Sequence, residues 1–274
     1  MHSELFTLFG LHIQMYGIML AIGFACCYFL ARCLARSSGR NVNEVDTIIL
    51  VAAVCGIVGA RLVYVFQNWQ MEFAQQPLQI FALWKGGLVF YGGFLLAVIG
   101  LIVYAVLKHE RILELLGFCV VFVPLGQAFG RIGCFFHGCC FGRICNNGLG
   151  IRFPARSPAW LHQQAMGQIG PYAAHTLPVW PTQLMEAMGC FLLFCLLWLL
   201  YRRVPKTLRA ARCCGIYLIC YALLRFGIEC LRDDPRGSFY LMLSFSQWVS
   251  IMLIILGFVF LVLSWEKTDG SNRR

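Results

Sequence analysis

The stretch TQLMEAMGCFLLFCLLWLLY, residues 182–201, holds twenty residues and a single charge, Glu186. At about 1.5 Å of rise per residue, a helix of this length crosses the ~30 Å hydrocarbon layer of a bilayer. Similar runs recur at Leu11 to Ala31, Thr47 to Phe66, Leu88 to Leu107, Leu113 to Ala128, Gly215 to Leu231 and Phe239 to Trp265. Hydrophobic residues make up 60% of the 274 and charged residues only 12%, against roughly 45–50% and 25% in soluble domains. The fold class is therefore an all-α integral membrane protein of about seven transmembrane helices. Between spans, the longest polar-leaning stretch is Arg143 to Pro181. It is too short and too rich in Gly and Pro for a core of its own. One polytopic domain over residues 1–274 is expected, with an outer-face segment at about 143–181. No Lys or Arg precedes the first apolar run and no small-residue cleavage site follows it, so that run is expected to stay in the mature protein.

Short cytoplasmic loops carry the excess of Lys and Arg. With the N-terminus outside, 13 of the 22 basic residues fall in inside loops (Arg32, Arg36, Arg40, Lys108, Arg111, Arg202, Arg203, Lys206, Arg209, Arg212, Lys267, Arg273, Arg274). Six fall outside (Lys85, Arg143, Arg152, Arg156, Arg232, Arg236), and Arg61, Arg131 and Arg225 lie within or at the ends of spans. The expected orientation is N-terminus outside and C-terminus cytoplasmic. The net charge of +10 then reflects topology and attraction to anionic membrane lipid, and it requires no nucleic acid partner.

An ionised group at bilayer depth costs several kcal/mol by most scales and persists with a partner or a task. The set here is small: Arg61 on the second span, Arg131 ending the fourth, Glu186 one turn into the fifth, and Arg225 and Glu229 on the sixth. Tyr221, Arg225, Glu229 and Arg232 are spaced by four, four and three, so they share one helix face. An internal salt bridge that fixes helix register is one reading. An anion site is the other, because three arginines stand against two carboxylates and a guanidinium fork matches phosphate.

Two glycine-rich segments adjoin these charges. WKGGLVFYGG, residues 84–93, enters the third span; its glycine pairs allow non-helical backbone lining a cavity, or close helix packing. GRIGCFFHGCCFG, residues 130–142, holds Arg131 among glycines at the mouth of a span, where backbone N–H groups and a charge can meet one phosphate.

These motifs resemble the bacterial prolipoprotein diacylglyceryl transferases over most of the chain. The resemblance rests on Tyr16-Gly17, Gly59-Ala60-Arg61-Leu62, the Gly-Gly-Leu-Val-Phe-Tyr-Gly-Gly segment, Gly-Arg-Ile-Gly followed by Gly138 and Gly142, Pro181 through Glu186, Tyr221 through Arg232, and Gln247-Trp248-Val249-Ser250. It implies transfer of a diacylglyceryl group from phosphatidylglycerol to the lipobox cysteine thiol of a prolipoprotein. The location it implies is the outer face of the bacterial cytoplasmic (inner) membrane, with no metal or cofactor. By position it implies catalytic roles for Tyr91, Arg225, Glu229 and Tyr221. Arg131, Gly142, Arg61, Tyr16, Glu186 and Arg232 take substrate-binding roles on the same ground. The chain departs from the common pattern at four positions, with Tyr91 in place of His, Cys134 of Asn, His137 of Asn and Cys139 of Glu.

The departures fall in a cysteine-rich region of a chain with 15 cysteines. Cysteines standing singly in spans, such as Cys26, Cys55, Cys119 and Cys195, act as small hydrophobes. Cys134, His137, Cys139, Cys140 and Cys145 cluster at the expected outer face, where packed thiols, a disulfide or a zinc site are all open. Two alternative functions follow: a diverged transferase-fold protein with thiol or metal chemistry at Cys134–Cys140, and a transporter, which the lack of an internal repeat disfavours.

Overall fold

The structure, a computed structural model, describes residues 4–8, 11–83, 86–146, 148–234 and 243–272. Lys85, Arg236, Arg273 and Arg274 of the loop charges, Trp84 and Lys85 of the first glycine-rich segment, and residues 239–242 of the expected last span lie outside them. A short antiparallel hairpin, β1 (Glu4–Leu8) and β2 (Leu11–Gln14), opens the chain. The helices are α1 (Met15–Ser38), α2 (Val42–Gln67), α3 (Phe90–Leu107), α4 (Ile112–Cys119), α5 (Val123–His137), α6 (Pro158–Ala165), α7 (Thr182–Arg203), α8 (Lys206–Leu231) and α9 (Phe245–Asn272). Seven stretches are long and apolar enough to span a bilayer, with α4 and α5 together counting as one, Ile112–His137. Even the most enclosed of their 18-residue windows is only 44% buried, as expected where lipid is the solvent for the outer faces.

Local chemistry sets the boundaries. The first span starts at Met15 and not Leu11, because Leu11 and Ile13 alternate with His12 and Gln14 at the two-residue period of a strand. The fourth span is interrupted at 120–122, just before Pro124, whose ring cannot continue an α-helix from the preceding turn. The sixth starts at Lys206 and not Gly215, since Thr207-Leu208-Arg209-Ala210-Ala211 forms helix readily once Pro205 has turned the chain. The last starts at Phe245 behind a capping box. Ser244 Oγ accepts from the Gln247 N–H at 3.3 Å and Gln247 Oε1 accepts from the Ser244 N–H at 2.9 Å.

The chain forms two compact units, one of Met1–Cys27 with Gly117–Arg274, the other Tyr28–Leu116. In the smaller unit α2 and α3 meet on glycine. A Cβ on Gly59 would lie 2.4 Å from the Gly92 carbonyl oxygen, and one on Gly93 would lie 2.7 Å from that of Gly56. The first pair of the glycine-rich segment works differently: Gly86 and Gly87 both take positive φ, 81° and 76°, in the turn before α3. Non-helical backbone and close helix packing thus occur six residues apart.

In the larger unit α8 crosses α9 at Gly215 and Gly257, where either Cβ would stand 2.9 Å from the other residue's carbonyl oxygen. Residues 143–181 fold onto the end of α5. Phe153, Ala159 and Val179 pack with Phe141, and Phe135 of α5 joins them. Ser157 caps α6 through the Trp160 N–H, and Trp160 Nε1 donates to the Ala173 carbonyl at 2.8 Å. The segment borrows its core from the helix it covers.

Candidate active site

Three helices of the larger unit bring four charges together. On α7, Thr182, Gln183, Glu186, Ala187 and Cys190 follow helical periodicity and are all buried. Glu186 Oε1 lies 3.1 Å from Arg131 Nη2 on α5, and its Oε2 lies 3.9 Å from Arg225 Nη1 on α8. Arg225 Nη2 in turn pairs with Glu229 Oε2 at 2.8 Å, one helical turn on. The order is Arg131, Glu186, Arg225, Glu229, with formal charges that cancel. Burying ions is tolerable only with partners of this kind, and removing one partner typically costs about 3–5 kcal/mol. Arg225 Nη1 is enclosed and has no hydrogen-bond partner among the described residues.

Tyr221 lies one turn before Arg225, stacked on Tyr217 with ring centroids 5.7 Å apart, and within electrostatic reach of Glu186, Arg131 and Arg225. Tyr217 is held by Gln127 of α5 at 3.1 Å. Tyr16 sits beside α5 because Gly133 leaves room: a Cβ there would lie 2.8 Å from the Tyr16 ring. Arg131, Cys134, Cys139 and Cys140 are its electrostatic neighbours.

The remaining expected site residues are used by the protein itself. Arg232 forms a fork with Asp234, Nε to Oδ1 at 2.8 Å and Nη2 to Oδ2 at 2.7 Å. Gly142 sits where three segments converge: a Cβ would lie 2.6 Å from Trp180 Cβ and 2.9 Å from the Leu231 carbonyl oxygen. Its N–H donates to the Trp180 carbonyl, and it bridges Arg232 across an antiparallel contact. Arg61 and Tyr91 belong to the smaller unit. Arg61 Nε donates to the Ile80 carbonyl at 2.9 Å, Nη1 to those of Gly86 and Gly87 at 2.7 and 3.1 Å, and Nη2 to that of Gln79 at 2.6 Å. Tyr91 is 62% exposed. These hydrogen bonds of Arg61 stay inside its own unit, while the network of the larger unit pairs two arginines with two carboxylates.

Beyond the helix end, the chain turns sharply at Gly138, which caps α5 with φ 79°, and Cys140 follows with φ 60°. The turn folds Cys139 and Cys140 back over Cys134, so that the three Sγ atoms lie within 4.8 Å of one another. Cys134, Cys139 and Cys140 are free thiols. Exposed His137 and buried Cys145, expected in the same cluster, stand apart from this triad. The Cys140 thiol is pulled far below its usual range by the neighbouring thiols of Cys134 and Cys139 as donors, with Arg232 and Arg131 adding to this against burial. Cys139 is driven up as the proton-keeping partner of those thiols. The first turn of α7 supports the backbone here, as Thr182 Oγ1 donates to the Cys140 carbonyl at 2.7 Å and Gln183 Nε2 to that of Cys139 at 2.6 Å.

Glu186 as the bridge between two arginines, Asp234 as the partner of Arg232, and Thr182 and Gln183 as braces of the cysteine turn were not anticipated from sequence. The buried 182, 183, 186, 187, 190 stripe was a legible signal, since it marks the interior face of α7.

Apolar spans enclosing an arginine–carboxylate network, with a packed segment over the end of α5, define a polytopic membrane protein with a polar site inside its helices. The chain belongs to the prolipoprotein diacylglyceryl transferase family, whose family model matches residues 3–263. It is 34% identical over 269 residues to the phosphatidylglycerol–prolipoprotein diacylglyceryl transferase of Clostridium tetani, covering 97% of this chain and 100% of that one. To phosphatidylglycerol–prolipoprotein diacylglyceryl transferase 2 of Clostridium perfringens it is 32% identical, over 94% and 93% of the two chains. The Cupriavidus metallidurans enzyme of the same name is 32% identical, over 96% and 93%.

Proposed function

We propose that this chain transfers the diacylglyceryl group of phosphatidylglycerol to the lipobox cysteine thiol of prolipoproteins in a bacterial cytoplasmic membrane. In this reaction the thiol sulfur gives up its proton and attacks the glycerol carbon that bears the phosphate ester. The carbon–oxygen bond breaks, a thioether forms, and glycerol phosphate leaves with added negative charge.

The observation that carries this reading is the buried network of Arg131, Glu186, Arg225 and Glu229, with Arg225 Nη1 still able to donate. Arg131 holds the lipid phosphate. Arg225 stabilises charge as it develops on the leaving oxygen, where a fixed donor in a low-dielectric site acts most strongly. Glu186 and Glu229 hold the two forks in place until substrate arrives, and Tyr221 and Tyr16 line their surroundings. Gly142, Arg61 and Arg232 act through the backbone they organise. Tyr91 enters by its sequence position alone, as the expected proton acceptor. The excess of Lys and Arg in alternate loops supports an N-terminus outside and a site toward the outer face. Family membership disfavours the transporter alternative.

The test is mass spectrometry of a lipobox peptide incubated with the purified protein and phosphatidylglycerol. A mass gain equal to one diacylglycerol, absent when the peptide cysteine is replaced by serine, is expected. An unmodified peptide with well-folded protein in lipid would overturn the reading.

A further inference from the structure

We propose that Cys134, Cys139 and Cys140 form a three-thiolate site for a thiophilic d10 metal ion of the zinc class, whose fourth position takes the incoming acceptor thiol. This rests on the transferase reading and supplies a step which that reading left to Tyr91.

The geometry is that of a chelating turn. Three Sγ atoms stand within 4.8 Å of one another, and zinc–sulfur bonds of about 2.3 Å at tetrahedral angles would put them about 3.8 Å apart, so closure requires less than roughly an ångström per pair. Cys140 holds a left-handed backbone that non-glycine residues seldom adopt, and this conformation returns its side chain toward α5. Thr182 and Gln183 fix the carbonyls of both loop cysteines, as outer groups commonly fix metal ligands. Thiolate donors select soft ions. Charge balance is provided nearby, because three thiolates around a divalent ion leave one negative charge and Arg131 and Arg232 both lie within electrostatic reach of Cys140.

Among the described residues no fourth Cys, His, Asp or Glu joins the group. A three-ligand set with an open position is the catalytic pattern and not the structural one. Cys134 follows Arg131 by three residues on α5, so the two side chains share a helix face. An acceptor thiol bound at the metal would therefore meet a lipid phosphate bound at Arg131. Coordination deprotonates a thiol outright, and its proton passes to water at the membrane surface. The metal-bound sulfur then attacks the glycerol carbon, the bond to phosphate oxygen breaks, and the thioether product, a weak ligand, departs. No oxidant or reductant is needed. Cys134 and Cys139, two of the four departures from the common family pattern, thus replace with Cys140 the function of the absent histidine.

The experiment uses the reduced, purified full chain in lipid nanodiscs. Zinc titration with elemental analysis should give one ion per chain, weakened at least about tenfold by Cys134→Ser, Cys139→Ser or Cys140→Ser and unchanged by Cys33→Ser. Cobalt substitution reads the ligands without any mutation. The wild-type protein should develop sulfur-to-cobalt charge-transfer absorption, which a lipobox peptide carrying a free cysteine intensifies and the serine peptide does not. Absence of bound zinc overturns the proposal, as does a cobalt spectrum indifferent to the thiol peptide or a Cys134 disulfide in the protein as isolated. If chelator-stripped protein transfers diacylglyceryl at the full rate, the metal role is wrong while the transferase reading stands. If no preparation transfers, the cobalt response still decides whether the site binds metal and thiol.

Discussion

Arg61 spends its guanidinium on the carbonyl oxygens of Gln79, Ile80, Gly86 and Gly87, whereas Arg225 faces the carboxylates of Glu186 and Glu229 and keeps Nη1 without a hydrogen bond among the described residues. Both are arginines on apolar helices, and hydropathy cannot tell them apart. Their partners can. The carbonyls around Arg61 are neutral, belong to a turn with two left-handed glycines, and would have to be torn from that turn before an anion entered. The rings of Tyr64 and Phe73, with centroids 5.5 and 5.4 Å from its guanidinium carbon, flank it further. The carboxylates around Arg225 sit on side chains and carry the same sign as phosphate. In the proposed function the guanidinium saturated by backbone organises the fold, and the one held by carboxylates receives the ligand.

The largest effect that separates the two is on turnover. Arg131→Lys and Arg225→Lys keep the positive charge and lose the planar fork. Transfer to a lipobox peptide is expected to fall about 10²–10³-fold, the usual consequence of removing one oriented donor from a developing anion. Yield and thermal midpoint should stay near wild type. Full activity in both variants, or activity lost only in proportion to folded protein, would break the contrast.

Arg61→Lys should do the reverse. A single ammonium cannot reach four carbonyls on two sides of a planar group, so about 2 kcal/mol of stability is expected to go, as buried acceptors lose their donors. The readout is a lower thermal midpoint and yield, with specific activity per folded molecule within about threefold of wild type. A stable but inactive Arg61→Lys protein would return Arg61 to the substrate.

Much of the fold was legible because hydropathy is a local property. Twenty apolar residues announce a span whatever they touch, and all seven spans are present. Their ends were misplaced where helix continues into charged sequence, as at Lys206–Arg212, because an apolar window stops before the hydrogen bonding does. Within the site, spacing on one helix sufficed for the Arg225–Glu229 pair. It did not suffice for Glu186, whose partners stand 55 positions before and 39 after it. The cysteine triad needed one conformational fact, the left-handed Cys140, that residue type argues against. His137 looked like a ligand by spacing, yet it lies exposed, away from the three thiols.

The smallest expected effect bears most directly on whether the carboxylates are displaceable. Glu186 lies between Arg131 and Arg225, so an arriving lipid phosphate competes with it for both forks. Glu186→Gln keeps the side-chain shape and an oxygen acceptor for Arg131 but removes the charge. Of the four charges only Glu229 then opposes the two arginines, and the site gains one net positive charge. Phosphatidylglycerol should bind more tightly, with KM lower by about three- to tenfold, equivalent to roughly 0.7–1.4 kcal/mol. The departing glycerol phosphate carries more negative charge than the substrate and is held more tightly still, so kcat should not rise. Stability should fall by about 1–3 kcal/mol, since two buried guanidiniums share one fewer counter-charge. If the folded variant instead shows a higher KM with kcat unchanged, Glu186 contributes to lipid binding directly, and the carboxylates are fixed parts of the site in the same sense as the carbonyls around Arg61.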